Sequence, residues 1–494
     1  VIPAFFERKA GYLKNFKVCN LKTNSGRIKK IKIMKSNINI VYALLLTLAF
    51  VSCSSSDNDS ESNTPPAYPQ YGASFDKMPN KEDAIIYQVN IRSFSESGTL
   101  KGVQDRLSQI QELGVNVIYL MPVFPVGKEK AASGLGSPYA VKDYKAINPD
   151  FGTLKDLQIL VEEAHKKNMA VILDWVANHT AWDNAWISQH PDWYQKGADG
   201  KIIIPPGTNY NDVAQLDFTN REMKDAMIDA MAYWVYTANI DGFRCDYADF
   251  VPQDFWTEAI SKLRNIKKNQ KILMLAEGTK VSQFRSGFDY TFGFGFFTAL
   301  QKAFKENLSA STIQNANAAE YSTNYDENNK IVRYTSNHDV NFAEGTPIEL
   351  FGGKKGSVAT FVIAAYMKSV PMIYNGQEIG YAQRINYFEK TPIDWSTADP
   401  EMLAQYKKII AFRNSSTAIK KGTYTGYSSD AVSAFTMVKD ADKVLVLSNL
   451  TNNDVKYLVA NSLKGNWKDA FTGNPVTVGS EITLAPYQYL VLKN

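Results

Sequence analysis

The sequence predicts a (β/α)8 barrel with a small insertion after its third strand and an antiparallel β domain at its C-terminal end. Three observations predict it. Eight short apolar runs recur with helical patterns between them, and the polar residues that can do chemistry cluster where those runs end. Beyond about residue 415, apolar runs follow one another with no helix between them.

The first 80 residues lie outside this pattern. Residues 1–33 are basic and fit neither a fold nor a targeting signal, and are read as translated upstream sequence. From Met34, "MKSNINIVYALLLTLAFVSC" has a short basic start, an apolar run too short to span a bilayer comfortably, and small residues before Cys53. This resembles a bacterial lipoprotein signal over residues 34–52, with Cys53 as the lipidated residue; a plain secretory signal with an incidental Cys is the alternative. The resemblance implies anchoring to the outer membrane of a Gram-negative cell. "SSSDNDSESNTPP" then opens a polar tether over residues 53–80.

The barrel is expected over residues 81–413. Its strands are "AIIYQVNI", "VNVIYLM", "MAVILDWV", "IDGFRC", "KILMLAE", a weak "FDYTFGF", "KIVRYTSN" and "VPMIYNG". Between the second and third, Leu157, Leu160, Val161 and Ala164 recur at helical spacing behind Thr153, an N-cap with Asp156 three residues on. "NREMKDAMIDAMAYWVYTA" and "VATFVIAAYMKS" supply two more helices. The stretch from about 180 to 217 is too long for an ordinary βα loop and is rich in Pro, Gly and Trp, so it is assigned to an inserted subdomain. "AVSAFTMV", "KVLVLSNL", "VKYLVA" and "YQYLVLK" mark a C-terminal β-sandwich over 414–494.

Charge excludes one function class. The formal net charge of +4 is carried by the N-terminal segment: nine Lys/Arg against one Glu in residues 1–33, with Lys35, account for +9 and leave −5 for the rest. No basic footprint for nucleic acid remains. The three cysteines, Cys19, Cys53 and Cys245, fall in separate segments and offer neither a disulfide framework nor a thiolate metal site.

The strand ends carry the chemistry. The third run ends in "DWVANH" (Asp174, Asn178, His179), the fourth in Arg244 and Asp246, the fifth in Glu277, and the seventh in "SNHD" (Asn337, His338, Asp339). A lone Asp after an apolar run is usually a cap or a solvated loop residue. Four such ends in order are a site. In "DGFRCDYADF", strand alternation puts Arg244 and Asp246 on one side and Cys245 on the other, where a small buried hydrophobe is expected. Asp241 is read as structural, Asp249 as a cap or ion-pair partner, and Asp174 as a partner of Arg244.

These segments, with "GVNVIYLMPVFP", "LMLAE" and "GQEIG", resemble the α-amylase family, glycoside hydrolase family 13, from about Lys81 to the C-terminus. The resemblance implies Asp246 as nucleophile, Glu277 as general acid/base and Asp339 as the third carboxylate, which grips sugar hydroxyls. It implies Arg244 beside the nucleophile, His179 and His338 as imidazoles on the sugar, and Tyr139 in "GSPYAVKDY" as the aromatic platform under it. Asn178 matches a calcium ligand of many relatives, its amide oxygen being a suitable hard donor. The other ligands are not identifiable, which leaves calcium open.

The implied activity is retaining hydrolysis of α-glucans by a monomer. The alternatives are a cyclomaltodextrin-, pullulan- or α-1,6-cleaving relative and a non-catalytic glucan-binding protein of the cell surface. Many endo-acting members carry Lys-His three and four residues after the nucleophile, where this chain has Asp249 and Phe250. From charge alone, Arg244 is expected to lower the pKa of Asp246, while like-charge neighbours and burial raise that of Glu277.

Overall fold

The computed structural model of the chain describes residues 68–266, 271–322, 326 and 329–494. The signal segment and Cys53 lie outside the described residues. Ten strands precede the C-terminal domain: β1 (Ile86–Val89), β2 (Val117–Leu120), β3 (Ala170–Trp175), β4 (His179–Ala181), β5 (Val213–Gln215), β6 (Gly242–Cys245), β7 (Leu273–Ala276), β8 (Tyr290–Phe292), β9 (Lys330–Arg333) and β10 (Val370–Tyr374).

Eight of these close a barrel in the order β1-β10-β9-β8-β7-β6-β3-β2, with every neighbouring pair parallel. Each of the eight apolar runs supplies one strand, including the weak sixth. Both faces of these strands are covered, one by the barrel interior and the other by helices, so nearly every strand residue is buried and the runs read as continuous apolar stretches.

The helix Leu154–Lys166 starts on the expected capping box: Thr153 and Asp156 exchange hydrogen bonds, Asp156 N to Thr153 Oγ1 at 3.3 Å and Thr153 N to Asp156 Oδ2 at 2.8 Å. Its buried face is Leu157, Leu160, Val161 and Ala164.

The remaining two strands, β4 and β5, pair antiparallel in the insertion, with His179 opposite Gln215. Of the insertion's aromatics, Trp193 and Tyr194 are buried, and Trp186 packs on Tyr144 and Trp193 with ring centroids 5.2 and 5.1 Å apart. Trp182 is half-buried and holds the Lys130 ammonium 3.3 Å from its ring centroid. These rings are mostly core to the insertion.

The C-terminal domain adds β11 (Thr423–Gly426), β12 (Val432–Lys439), β13 (Asp442–Asn449), β14 (Val455–Leu458), β15 (Gly465–Asp469), β16 (Pro475–Val478), β17 (Glu481–Leu484) and β18 (Tyr489–Lys493). Six of them form one antiparallel sheet, β11-β12-β13-β18-β15-β16. The pair β14-β17 covers part of it, with Tyr457 and Leu484 joining Val432, Leu445, Trp467 and Leu492 in one core.

Residues 68–80, assigned from the sequence to the tether, lie against the barrel helices. Tyr68 Oη donates to Asp229 Oδ2 at 2.5 Å, Tyr71 N to Tyr236 O at 2.8 Å and Asn239 Nδ2 to Ala73 O at 2.8 Å. Phe75 is buried and stacks on His165 with centroids 4.4 Å apart. Enough apolar and polar contact is made here to hold this stretch in place.

One buried acid makes stability depend on pH. Glu378 lies just after β10, accepts from Tyr87 Oη at 2.6 Å, and leaves its second oxygen buried without a hydrogen-bond partner. Burial pushes its carboxyl up from 4.5 to about 7. A folded-state pKa above the unfolded one contributes stability that is complete below about 4.5 and is lost as pH rises through 7. Glu378→Gln is expected to remove this slope and make the variant the more stable protein at pH 8, by up to about 3 kcal/mol. Melting temperatures of both proteins between pH 5 and 8 check it, and parallel curves would refute it.

Candidate active site

The site forms where the strands end at one mouth of the barrel. Gly242 begins β6 with φ 152°, and a Cβ there would lie 1.9 Å from the Leu273 carbonyl oxygen of β7. Only glycine permits this approach, which brings "FRCD" and "MLAE" side by side. Arg244 pairs with Leu275 and Cys245 with Ala276, so Asp246 and Glu277 follow at matching positions of adjacent strands. Neighbouring strands lie about 4.8 Å apart, so the two carboxylates begin from backbones at roughly that separation. The chain is held there by Asp246 N to Trp175 O at 2.8 Å and Glu277 N to Cys245 O at 2.9 Å.

Arg244 is buried at the centre of the cluster. Its Nη1 donates to Asp174 Oδ1 at 2.7 Å and to Asp246 Oδ1 at 3.1 Å, and its Nη2 lies 3.3 Å from Glu277 Oε1. Glu277 Oε2 also accepts from Tyr247 N at 2.9 Å, a contact made possible by the left-handed backbone of Tyr247 at φ 52°, ψ 32°. Asp174 accepts further from Tyr119 Oη at 2.6 Å and Tyr139 Oη at 3.0 Å. The expected pairing of Asp174 with Arg244 is present.

The Asp246 carboxyl departs from the sequence expectation. Its pKa is pushed well up, first by burial and then by the Glu277 charge, and the opposing pull of Arg244 is smaller. Arg244 divides its charge among three carboxylates and cannot keep all of them ionised at no cost. Burial and the Glu277 charge thus favour the protonated Asp246 carboxyl by more than Arg244 favours the ionised one.

Tyr139 and His338 form the opposite wall. Their rings are stacked with centroids 5.4 Å apart, and Tyr139 Oη lies 2.7 Å from His338 Nε2. Gln88 Nε2 lies 2.7 Å from His338 Nδ1. With the amide as donor, the imidazole proton sits on Nε2 and points to Tyr139 Oη, which donates in turn to Asp174. Asn337 caps the helix His338–Ala343, accepting from Val340 N at 2.8 Å, which fixes His338 and Asp339 in the first turn. Asp339 Oδ1 is 3.4 Å from both His338 Nε2 and Tyr387 Oη.

His179, on β4, is buried, and burial lowers its pKa to about 4. Burial lowers that of His338 too. Both imidazoles are neutral at physiological pH and serve as hydrogen-bonding groups rather than charges.

The neighbouring residues singled out from the sequence have structural work. Asp241 accepts from His165 Nε2 at 2.8 Å and Val171 N at 2.7 Å, and Cys245 is buried on the far side of β6. Asp249 accepts from Thr279 N at 2.8 Å and Gln283 Nε2 at 3.0 Å, tying its loop to the one after Glu277.

Asn178 and Gln215 form a reciprocal amide pair, Asn178 Nδ2 to Gln215 Oε1 at 3.0 Å and Gln215 Nε2 to Asn178 Oδ1 at 3.2 Å. The amide oxygen needed for calcium thus faces an N–H donor. Among the described residues no three His, Cys, Asp or Glu side chains converge as a metal would require. This donor set does not fit the calcium site that the resemblance implies.

Four further residues belong to the cluster. Gln88 and Tyr119 are polar residues inside apolar strands, each the third residue of its four-residue strand. Tyr387 comes from the loop after β10, and Tyr210 from the insertion, where its pKa is raised by burial and then by Asp339, Tyr247, Glu277 and Asp246. Neither has a periodic pattern to reveal it.

Chemically, the arrangement offers two adjacent carboxylates, one to attack and one to carry a proton. A third carboxylate lies beside them, and two neutral imidazoles are held against Tyr139. The alpha amylase catalytic-domain model matches residues 57–199 and 207–464 of the chain. The chain is 28% identical over 433 residues to Alpha-amylase 2 of Dictyoglomus thermophilum, covering 82% of this chain and 73% of that one. It is also 28% identical over 436 residues to Neopullulanase 2 of Thermoactinomyces vulgaris, covering 80% and 71%. Among solved structures, an alpha-amylase from Lactobacillus plantarum superposes with a TM-score of 0.76 at 26% identity, covering 84% of this chain and 99% of that one.

Proposed function

The chain belongs to the alpha-amylase family and is a glycoside hydrolase acting on α-glucans, and from that premise we propose that it retains configuration, with Asp246 as nucleophile and Glu277 as general acid/base. The observation that carries this reading is the placement of the two carboxylates at matching ends of β6 and β7, both within reach of Arg244. Retaining glycosidases need a carboxylate separation of about 5 Å, and two carboxylates on neighbouring strand ends that share one guanidinium support that reading.

In the first step an Asp246 oxygen attacks the anomeric carbon while the Glu277 proton passes to the leaving oxygen, giving a glycosyl ester and a free sugar end. In the second, the Glu277 carboxylate takes a proton from water, the water oxygen attacks the same carbon, and the ester bond to Asp246 breaks. The reaction needs Glu277 protonated and Asp246 ionised in the first step. Arg244 stabilises the ionised Asp246, Asp339 binds hydroxyls of the sugar, which lies on the Tyr139 ring, and His338 and His179 join in by exchanging their bonds to Tyr139 for bonds to sugar hydroxyls. Hydroxyl contacts from neutral imidazoles hold without adding positive charge beside the oxocarbenium-like centre.

Linkage is set by an experiment on the purified protein with amylose, pullulan, cyclodextrin and isomaltose, identifying the products. Release of α-configured oligosaccharides from at least one is expected, and the substrate cleaved names the linkage. Binding to all four with no product from any would establish a glucan-binding protein instead.

A further inference from the structure

We propose that Tyr119 is a positioning residue for the nucleophile: by donating its hydroxyl to Asp174 it keeps the Arg244 guanidinium shared with Asp246 instead of drawn over to Asp174. The proposal rests on the assignment of Asp246 and Glu277 above.

Tyr119 is the third residue of β2 and is fully buried, so it has no surface to offer a sugar. It sits deeper in the barrel than the carboxylates. Its strand partner is Ile172 of β3, and Asp174, two residues further along and on the same face, pairs with Arg244 of β6. The Arg244 Cζ lies over the Tyr119 ring, 5.8 Å from its centre, and Tyr119 Oη reaches Asp174 Oδ2 at 2.6 Å.

Arg244 Nη1 has two acceptors, Asp174 at 2.7 Å and Asp246 at 3.1 Å, and leans towards the first. A carboxylate whose charge is already met by other donors pulls less on a guanidinium. Asp174 has two such donors on its second oxygen, Tyr119 at 2.6 Å and Tyr139 at 3.0 Å. They differ in what else they do. Tyr139 Oη is also 2.7 Å from His338 Nε2 and belongs to the wall that carries the sugar, whereas Tyr119 Oη has Asp174 as its one hydrogen-bond partner among the described residues. The shorter bond is the one that substrate binding leaves in place.

The groups facing Asp246 set the sign of the effect. Arg244 on its own strand favours the ionised carboxyl, while Glu277 on β7, Asp174 on β3 and Asp339 beyond β9 favour the protonated one. Tyr139, Tyr144 and Tyr210 face it as neutral phenols, and burial keeps the imidazoles of His179 and His338 neutral. Among the described residues the Asp174 carboxylate accepts three hydrogen bonds and that of Asp246 one, so on acidification Asp246 takes up its proton while Asp174 is still ionised. Loss of the Tyr119 bond then tightens the hold of Asp174 on Arg244 and raises the proton affinity of Asp246.

The test is the pH dependence of kcat/KM on α-maltosyl fluoride, whose first step needs Asp246 ionised and no acid, so that its acid limb reports Asp246. In Tyr119→Phe this limb is expected to move up by about half a pH unit, a loss of about threefold on the acid side that shrinks towards the alkaline plateau. Asp174→Asn should move the same limb down, because the charge that competes for Arg244 is gone. A loss that is equal at every pH would show a purely structural role for Tyr119, and limbs that move in the same direction in both variants would show that the two carboxylates do not compete. Either result overturns the proposal. An Asp174→Asn limb that stays or rises does so as well, even if Tyr119→Phe yields no folded protein. A wild-type protein that releases no fluoride, or whose release does not fall on acidification, would overturn the assignment of Asp246 itself, and that outcome is read before any variant is made.

Discussion

Asp246→Asn is expected to abolish glucan hydrolysis, lowering kcat by at least about 10^4-fold, and to leave the fold intact. The amide keeps the shape of the carboxylate but cannot form the glycosyl ester, so the first step fails for every leaving group, fluoride included. Stability should respond in the opposite direction. The Asp246 carboxyl is buried beside Glu277, and both effects push its proton affinity up. A neutral Asn removes that repulsion, while Arg244 keeps Asp174 at 2.7 Å and Glu277 at 3.3 Å. The melting temperature should therefore equal or exceed that of the wild type, as when a residue kept for catalysis is a burden to the fold. Initial rates on the best glucan and thermal unfolding of the two proteins check both halves. Activity within tenfold of wild type would remove Asp246 from the nucleophile's role.

Glu277→Gln should separate the two half-reactions. On glucans the loss is expected to reach about 10^3- to 10^4-fold, because the sugar oxygen must depart unprotonated. On an α-glycosyl fluoride the first step needs no acid, so Asp246 is still glycosylated. The second step then stalls because the amide cannot take a proton from water. An adduct on the peptide containing Asp246 is the expected mass-spectrometric result, and fresh wild-type product followed by NMR should be the α-anomer. An adduct on any other residue, or initial β-anomer, would overturn the mechanism.

How much of this could be read before any coordinates depended on the physical context of each element. Barrel strands are apolar on both faces, so even three-residue β8 leaves a visible run in "FDYTFGF". Asp246 and Glu277 were legible because each follows directly on a strand, β6 and β7. Strands β11, β15, β16 and β17 were not. β11 alternates exposed and half-buried positions and the other three bury one residue each, so "TYTG" or "PVTV" has too little apolar surface to stand out from a loop. Tyr387 and Tyr210 reach the carboxylates from long irregular segments, where tertiary contact alone decides direction. The pKa of Asp246 was misjudged for a related reason. Its nearest charge, Arg244, lies two residues away in sequence, whereas Glu277 and the burial that outweigh it come from the assembled barrel.

The segment from Tyr68 to Asn80 has a mechanical consequence. It is fastened to the helices Leu154–Lys166 and Arg221–Thr237 by Phe75 on His165, by Tyr68 on Asp229 and by the Tyr71 amide on Tyr236. A tensile load entering the chain ahead of Tyr68 meets these fastenings first. It is spread over two helices before it reaches β1, the strand whose pairing with β10 and β2 closes the barrel. Peeling that lead away is expected to precede any opening of the barrel seam.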